Sequence, residues 1–304
     1  MKLILSRKGF DSGYGGCASP IFPNDSMASF PIPDRHEKWD SLHGMFCGDY
    51  DLGAVAQDLT RGLSPSHSIE RGSMIHLDPD LRVRHPLGLD GWRTAFGQDG
   101  AAQTHLSNQL VGSGDIFLFF GWFRRVQQFE KRWRFDPKEP DLHVIFGWLQ
   151  VDQVIQVSEY RKRRSTYPWL EHHPHIRNAI RYPGNNTIYV AADRLFIGGQ
   201  PTAQPGGGAF GCFSSIRQLT HPAQPVPVKR SVWQLPRWFS AENASGKRAL
   251  TYHGNENRWT FNVKDPTRVE LRSVAKGQEF VFDMERTGKA SANKWFKALF
   301  EGRL

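Results

Sequence analysis

Apolar and polar positions in this chain fall into short runs bounded by glycine, proline and asparagine, and most runs have strand length. The strongest are the continuous apolar run 116–123 and its echo at 143–151, which 154–157 extends. Both runs carry Phe-Gly-Trp, so Gly121 and Gly147 are expected to mark bulges or close approach of another backbone. Shorter strand patterns occur at 2–5, 186–191, 258–263 and 279–282. Helical patterns are few. They occupy 51–60, 100–110 and 291–300, the last with Ala292, Trp295, Phe296, Leu299 and Phe300 on one stripe. Prolines at 20, 23, 31 and 33 predict irregular chain over 17–35. The glycine-rich stretch 198–211 and the proline-rich stretch 222–227 predict a surface excursion at 198–228. Many strands with few helices predict an α+β, strand-rich fold with a curved mixed or closed sheet. One domain over 1–304 is expected. The alternative is a core at 1–197 with C-terminal strands and a helix at 229–304.

At 304 residues and 39% hydrophobic content, the chain can bury a large core. Its net charge of +9 favours polyanionic partners. More than half of that excess lies at 121–182, with twelve Lys/Arg against seven Asp/Glu. Cys17, Cys47 and Cys212 are odd in number and far apart, so neither a disulfide framework nor a Cys-x-x-Cys zinc site is expected. The apolar start is too short for a signal peptide, and no run approaches the ~20 apolar residues of a membrane span. A cytoplasmic protein with no membrane partner is therefore expected.

The first candidate for chemistry is the loop after the opening strand, Ser6-Arg7-Lys8-Gly9-Phe10-Asp11-Ser12-Gly13-Tyr14-Gly15-Gly16. Glycines and cations of this kind let backbone N–H groups approach a phosphate. Neither the Walker order nor the dinucleotide spacing is present, so the sequence names no cofactor. Ser6, Arg7, Lys8 and Ser12 are candidate phosphate or nucleotide contacts, and Asp11 and Asp34 candidate acid/base groups. The competing reading of Asp34 is a turn carboxylate after Pro33. The second candidate is Glu171-His172-His173-Pro174-His175. Pro174 predicts an extended segment, with His173 and His175 sharing a face and His172 turned away. His173 and His175 are candidate catalytic residues. The segment alone is an incomplete ligand set, so no metal site is assigned. A two-histidine site would need a distant carboxylate such as Asp34 or Asp78.

His76-Leu77-Asp78-Pro79 and the polar run 97–105 form a third, weaker group, in which Gln98, Gln103 and His105 could read a base edge. The fourth is the basic, aromatic connector at 124–142 together with 161–164. Arg124, Arg125, Arg132, Trp133, Arg134, Arg163 and Arg164 are candidate nucleic-acid contacts there, set against a plain solvated hairpin.

The residues of 5–16, with Ser19-Pro20-Ile21 and Pro31-Ile32-Pro33-Asp34, resemble the nucleotide modification associated domain 3 family. So do 97–106, 114–124 and His173-Pro174-His175. The likeness runs through most of the chain, over at least residues 2 to about 240. It implies a bacterial or viral protein of a base-modification system, whose catalytic role is inferred from gene context and whose reaction is undefined. The positions matching its motifs are Ser6, Arg7, Lys8, Asp11, Asp34, Gln98, Gln103, His105, His173 and His175. A looser likeness, at 114–119 and 145–151, is to PUA-like modules such as EVE and ASCH domains. It implies a PUA-like β-barrel with a base pocket walled by Trp122 and Trp148. The expected function is an enzyme or catalytic subunit acting on a nucleotide or a DNA base. The alternatives are a non-catalytic PUA-like reader and a scaffold. Expected partners are nucleic acid, DNA above all, or a nucleotide, and other proteins of the pathway.

Overall fold

The two Phe-Gly-Trp runs are neighbours in space. In the computed structural model, which describes residues 1–302 except 65, 66, 83, 85, 86, 183, 264, 287 and 288, they lie in adjacent antiparallel strands, Ile116–Phe129 and Leu142–Gln156. The register shifts between Ile145 and Gly147, which is a bulge at the second motif. A Cβ on Gly121 would lie 2.8 Å from the Lys8 carbonyl oxygen, and one on Gly147 2.3 Å from Leu81. Both glycines are therefore needed for close approach, as the echo suggested.

The main sheet runs Glu279–Asp283, Lys2–Arg7, Ile116–Phe129, Leu142–Gln156, Thr187–Ala191, Ala95–Gln98. Lys2–Arg7 is parallel to Ile116–Phe129, and the other pairs in this series are antiparallel. The fold is α+β, strand-rich and mixed. Among the described residues the sheet is open and no closed, PUA-like barrel is formed. The basic connector is a continuation of the sheet. The long strand extends to Phe129, turns at Glu130 and Lys131 with φ of 49° and 64°, and returns as Arg132–Phe135. Part of the glycine-rich stretch also belongs to the sheet. Gly207–Ala209 pair with Gly147–Leu149, where glycine allows the backbone to pass under the Trp148 ring. A separate antiparallel sheet joins Val232–Pro236, Arg268–Arg272 and Trp259–Phe261.

Alternation buries both faces at the far end of the main sheet. Phe96, Tyr189 and Ala191 face the large core, which gathers residues from Leu3 to Leu299. Ala95, Ile188 and Val190 face a smaller cluster with Trp169 and Leu170. A third cluster packs helix Leu52–Thr60 through Leu52, Val55, Ala56 and Leu59. The Asp51 carboxylate caps that helix by accepting from the Ala54 N–H at 3.0 Å. The segment 157–181 is a series of short helical turns lying on the smaller cluster, not extended chain. Pro174 opens the turn Pro174–Arg177, because its fixed φ suits the first helical position. Among the described residues no helix is long and apolar enough to cross a membrane.

Candidate active site

Alternation first brings His76 and Asp78 to one side of the chain. Leu77 between them is buried in the third apolar cluster, and the short strand Ile75–His76 is fixed by pairing with Ile32–Pro33. Asp78 then meets the histidine segment beneath strand Ala95–Gln98. Its Oδ1 accepts from the Gly97 N–H at 2.9 Å and faces Nε2 of His173 at 3.4 Å. Its Oδ2 faces Nε2 of His175 at 3.4 Å and Nε2 of His76 at 3.8 Å. One buried carboxylate thus has three imidazoles around it.

The tautomers follow from the second ring nitrogens. His173 caps its helical turn, and its Nδ1 accepts from the His175 backbone N–H at 3.2 Å, so its proton is on Nε2. His175 Nδ1 lies 2.6 Å from Oδ1 of Asn186, whose amide nitrogen donates to the His175 carbonyl at 3.1 Å. That reciprocal pair makes His175 Nδ1 a donor and leaves Nε2 toward Asp78. Tyr182 lies flat on His175, with ring centroids 4.3 Å apart, and its hydroxyl is 3.4 Å from Nδ1 of His76. A Cβ on Gly97 would lie 2.5 Å from the His175 ring, so only glycine admits the imidazole here.

Burial pushes the Asp78 carboxyl up, but the imidazoles of His173, His175 and His76 outweigh it and hold the group well below the usual carboxylate range. Burial lowers His173 more than Asp78 raises it, so that ring favours its neutral form. For His175 the same burial is outweighed by Asp78 and Asn186, and its affinity for a proton is raised. Two near-identical imidazoles in one site are thereby pushed apart, which is how environments assign acid and base roles.

Asp34 belongs to the surroundings of this cluster. It pairs with Arg181 at 2.6 Å, and the Arg181 guanidinium lies 5.8 Å from the Tyr182 ring centroid. Arg177 and Asn178 bind Glu37, and Arg177 also pairs with Asp40, fastening the loop after Asp34 to the histidine segment. Asp78 also lines an apolar cavity of about 400 Å³ with Met27, Met45, Leu81, Phe146 and Phe210.

A second buried group sits across strand Ala95–Gln98, where Gln98 points away from Gly97's side. Oε1 of Glu279 accepts from Lys8 Nζ at 3.0 Å and from Gln98 Nε2 at 2.7 Å. Oε2 of Glu279 and Oγ of Ser6 are buried with no hydrogen-bond partner among the described residues. Gln98, His105, Tyr252 and Glu279 line a cleft of about 450 Å³. His105 Nε2 lies 3.1 Å from the Thr251 hydroxyl, and Gln103 accepts from the Tyr189 hydroxyl at 3.0 Å.

The family model of nucleotide modification associated domain 3 matches residues 2–283. This chain belongs to the nucleotide modification associated domain 3 family. No curated protein and no solved structure matches it. The family's name ties the chain to nucleotide modification.

In this family member, the remaining sequence candidates lie apart from the Asp78 cluster. Asp11 accepts from the Gly13 and Tyr14 N–H groups at 2.7 and 2.8 Å, holding its own turn, and Ser12 is exposed beside it. Arg7 donates to the carbonyls of Val274 and Ala275. Arg124 binds the Asp136 carbonyl, Arg125 binds Asp25, and Arg134 lies over Phe129. Trp133 meets Phe22 and Tyr50 edge-on in the third apolar cluster. Arg132 and Arg163 are exposed, and Arg164 pairs with Glu171. Trp148 is buried against Phe210 and Phe300, and Arg230 covers Trp122 at 4.1 Å.

Glu279, Asn186, Tyr182 and Gly97 carry no individual signal in the sequence. His76 and Asp78 had one, the His-x-Asp spacing on an extended segment, but it becomes specific only beside His173 and His175.

Proposed function

We propose that this chain is an enzyme, or the catalytic subunit of one, acting on a nucleotide or a nucleobase in nucleic acid, with its chemistry centred on Asp78. The observation that carries this reading is a buried carboxylate ringed by His76, His173 and His175 on the wall of an apolar cavity. Burying that many titratable groups is costly, and such clusters concentrate at functional sites. The cavity is lined mostly by apolar side chains, with Asp78, Arg82, Ser26 and Ser29 as its polar members, a lining suited to a planar base. Asp34, through Arg181 and Tyr182, positions the imidazoles and does not touch the substrate.

Equilibrium binding of nucleosides and nucleotides tests the substrate class. At least one base should bind, and Leu81→Trp, which fills the cavity beside Asp78, should reduce its affinity at least about tenfold. Failure of every common base to bind the folded protein would contradict the reading.

A further inference from the structure

We propose that His76 Nε2, His175 Nε2 and Asp78 Oδ2 form a binding site for one first-row divalent transition ion. This deepens the reading above, resting on it for what the ion does in catalysis but not for whether the ion binds.

Three observations converge. First, one donor atom from each of His76, Asp78 and His175 lies within 4.8 Å of the other two. The separations from Asp78 Oδ2 are 3.4 Å to His175 and 3.8 Å to His76. A charge-assisted N–H···O bond would bring them to about 2.7–2.9 Å. Two donors each about 2.1 Å from a shared tetrahedral ion stand about 3.4 Å apart. His76 is the more exposed of the two imidazoles and the one that must close in.

Second, the outer partners are those a ligating imidazole and carboxylate require. His175 donates Nδ1–H to Asn186, which fixes its orientation and leaves Nε2 for the ion. Asp78 Oδ1 is held by the Gly97 N–H, leaving Oδ2 for the ion.

Third, His173 Nε2 is buried, makes no hydrogen bond among the described residues, and is aimed at the other oxygen of the same carboxylate. It is a positioning residue for Asp78.

The donor set decides the class of ion. Two imidazoles and one carboxylate suit Zn²⁺ or Fe²⁺, whereas Ca²⁺ and Mg²⁺ prefer oxygen ligands alone. Three protein ligands leave further coordination positions open, as in catalytic rather than structural sites.

The full chain, produced without a histidine tag, should retain roughly one equivalent of a transition metal by elemental mass spectrometry, or take up Zn²⁺ after chelation. Co²⁺ should give the visible absorption of a site with nitrogen ligands. His76→Gln and His175→Gln should each weaken Zn²⁺ binding by at least about 100-fold, and Asn186→Ala by about 10–100-fold. His36→Gln, on an exposed histidine elsewhere, should not change it. Circular dichroism checks that each variant is folded, and the partly exposed His76 supplies a variant that leaves the buried pair in place. Folded wild-type protein that binds neither Zn²⁺, Fe²⁺ nor Co²⁺ would overturn the proposal. So would Zn²⁺ binding unchanged in both histidine variants. Metal binding is read without any nucleotide, so a chain that binds Zn²⁺ but no base sinks only the substrate reading.

Discussion

Nε2 of His175 faces Oδ2 of Asp78 at 3.4 Å, while the other nitrogen of the same ring is held by Asn186 at 2.6 Å. The imidazole is thus oriented from behind and offered to the carboxylate from in front. A strut would need only one of these contacts. The doubled restraint, with Tyr182 against the ring face, sets the ring's position as a working site requires.

Gly97 tests that restraint. Its Cβ position lies 2.5 Å from a ring that Asn186 and Tyr182 prevent from retreating. Gly97→Ala should cost about 1–3 kcal/mol of stability by overpacking. It should also reduce function further than that loss explains. Urea unfolding beside a Zn²⁺ affinity measurement separates the two effects, and an alanine variant with wild-type values for both would refute the packing argument.

Much of the fold was legible in the sequence because its signals are local. The Phe-Gly-Trp runs, the 52–60 helix and the C-terminal amphipathic helix Lys289–Glu301 depend on periodicities within a few residues. The hairpin was legible only as the competing reading of 124–142, because Arg124, Arg125, Gln127 and Gln128 mask a strand extension in which Val126 alone is buried. The site was half legible. His173 and His175 stand out as a pair, but Asp78 lies about a hundred positions earlier and Asn186 looks like any turn residue. Pairing of Ile188 with Gly97 brings these segments together, and that register is a property of the sheet, not of any one segment. Lys8 was read as a phosphate ligand because Glu279, its partner, is at the other end of the chain.

That ion pair makes a direct prediction. Lys8 and Glu279 are both largely withdrawn from solvent. Removing one partner of a buried pair leaves an uncompensated charge and costs about 3–5 kcal/mol. Lys8→Met alone should therefore be strongly destabilised, and the double variant Lys8→Met/Glu279→Gln should recover a large part of the loss. A double-mutant cycle by urea unfolding measures this. If Lys8→Met kept full stability and lost only nucleotide affinity, Lys8 would be a phosphate ligand instead.

Acid should destabilise the protein through two buried imidazoles outside the Asp78 cluster. Burial lowers His253 to about 4. Its Nδ1 lies 2.9 Å from the Thr251 carbonyl, and its Nε2 accepts from the Val274 N–H. Burial also holds His143 well below its ordinary value, and its Nδ1 accepts from the Trp233 indole. In the unfolded chain both titrate near 6.5, so the unfolded state binds more protons between that value and the folded one. The contribution of these two imidazoles to stability is complete above about pH 6.5 and is lost as the pH drops toward 4. His253 alone should remove about 2 kcal/mol between pH 7 and 5. Urea midpoints across that range should decline, and a flat profile would contradict the neutral-imidazole assignment.

For nucleic acid, the exposed arginines and Trp133 should behave differently. Arg132→Ala on the hairpin and Arg163→Ala on the turn Tyr160–Arg163 should leave stability within about 0.5 kcal/mol of wild type, and each should lower the salt slope of any DNA binding that it contacts. Trp133→Ala should cost about 3 kcal/mol or more, because its ring packs against Phe22 and Tyr50. Thermal unfolding beside DNA titrations at two salt concentrations distinguishes them. A stable Trp133→Ala with weakened DNA binding would make that ring a stacking platform after all.

Whether Asp78 drives nucleotide modification is read by mass spectrometry of nucleosides and free nucleotides from cells expressing the wild-type chain or Asp78→Asn. Asparagine keeps an oxygen for the Gly97 N–H but removes the charge at the centre of the cluster. A nucleoside or nucleotide of altered mass should appear in wild-type cells and be lost with Asp78→Asn, at equal levels of folded protein. An altered species formed equally well by Asp78→Asn, or none formed by either chain, would contradict that role for Asp78.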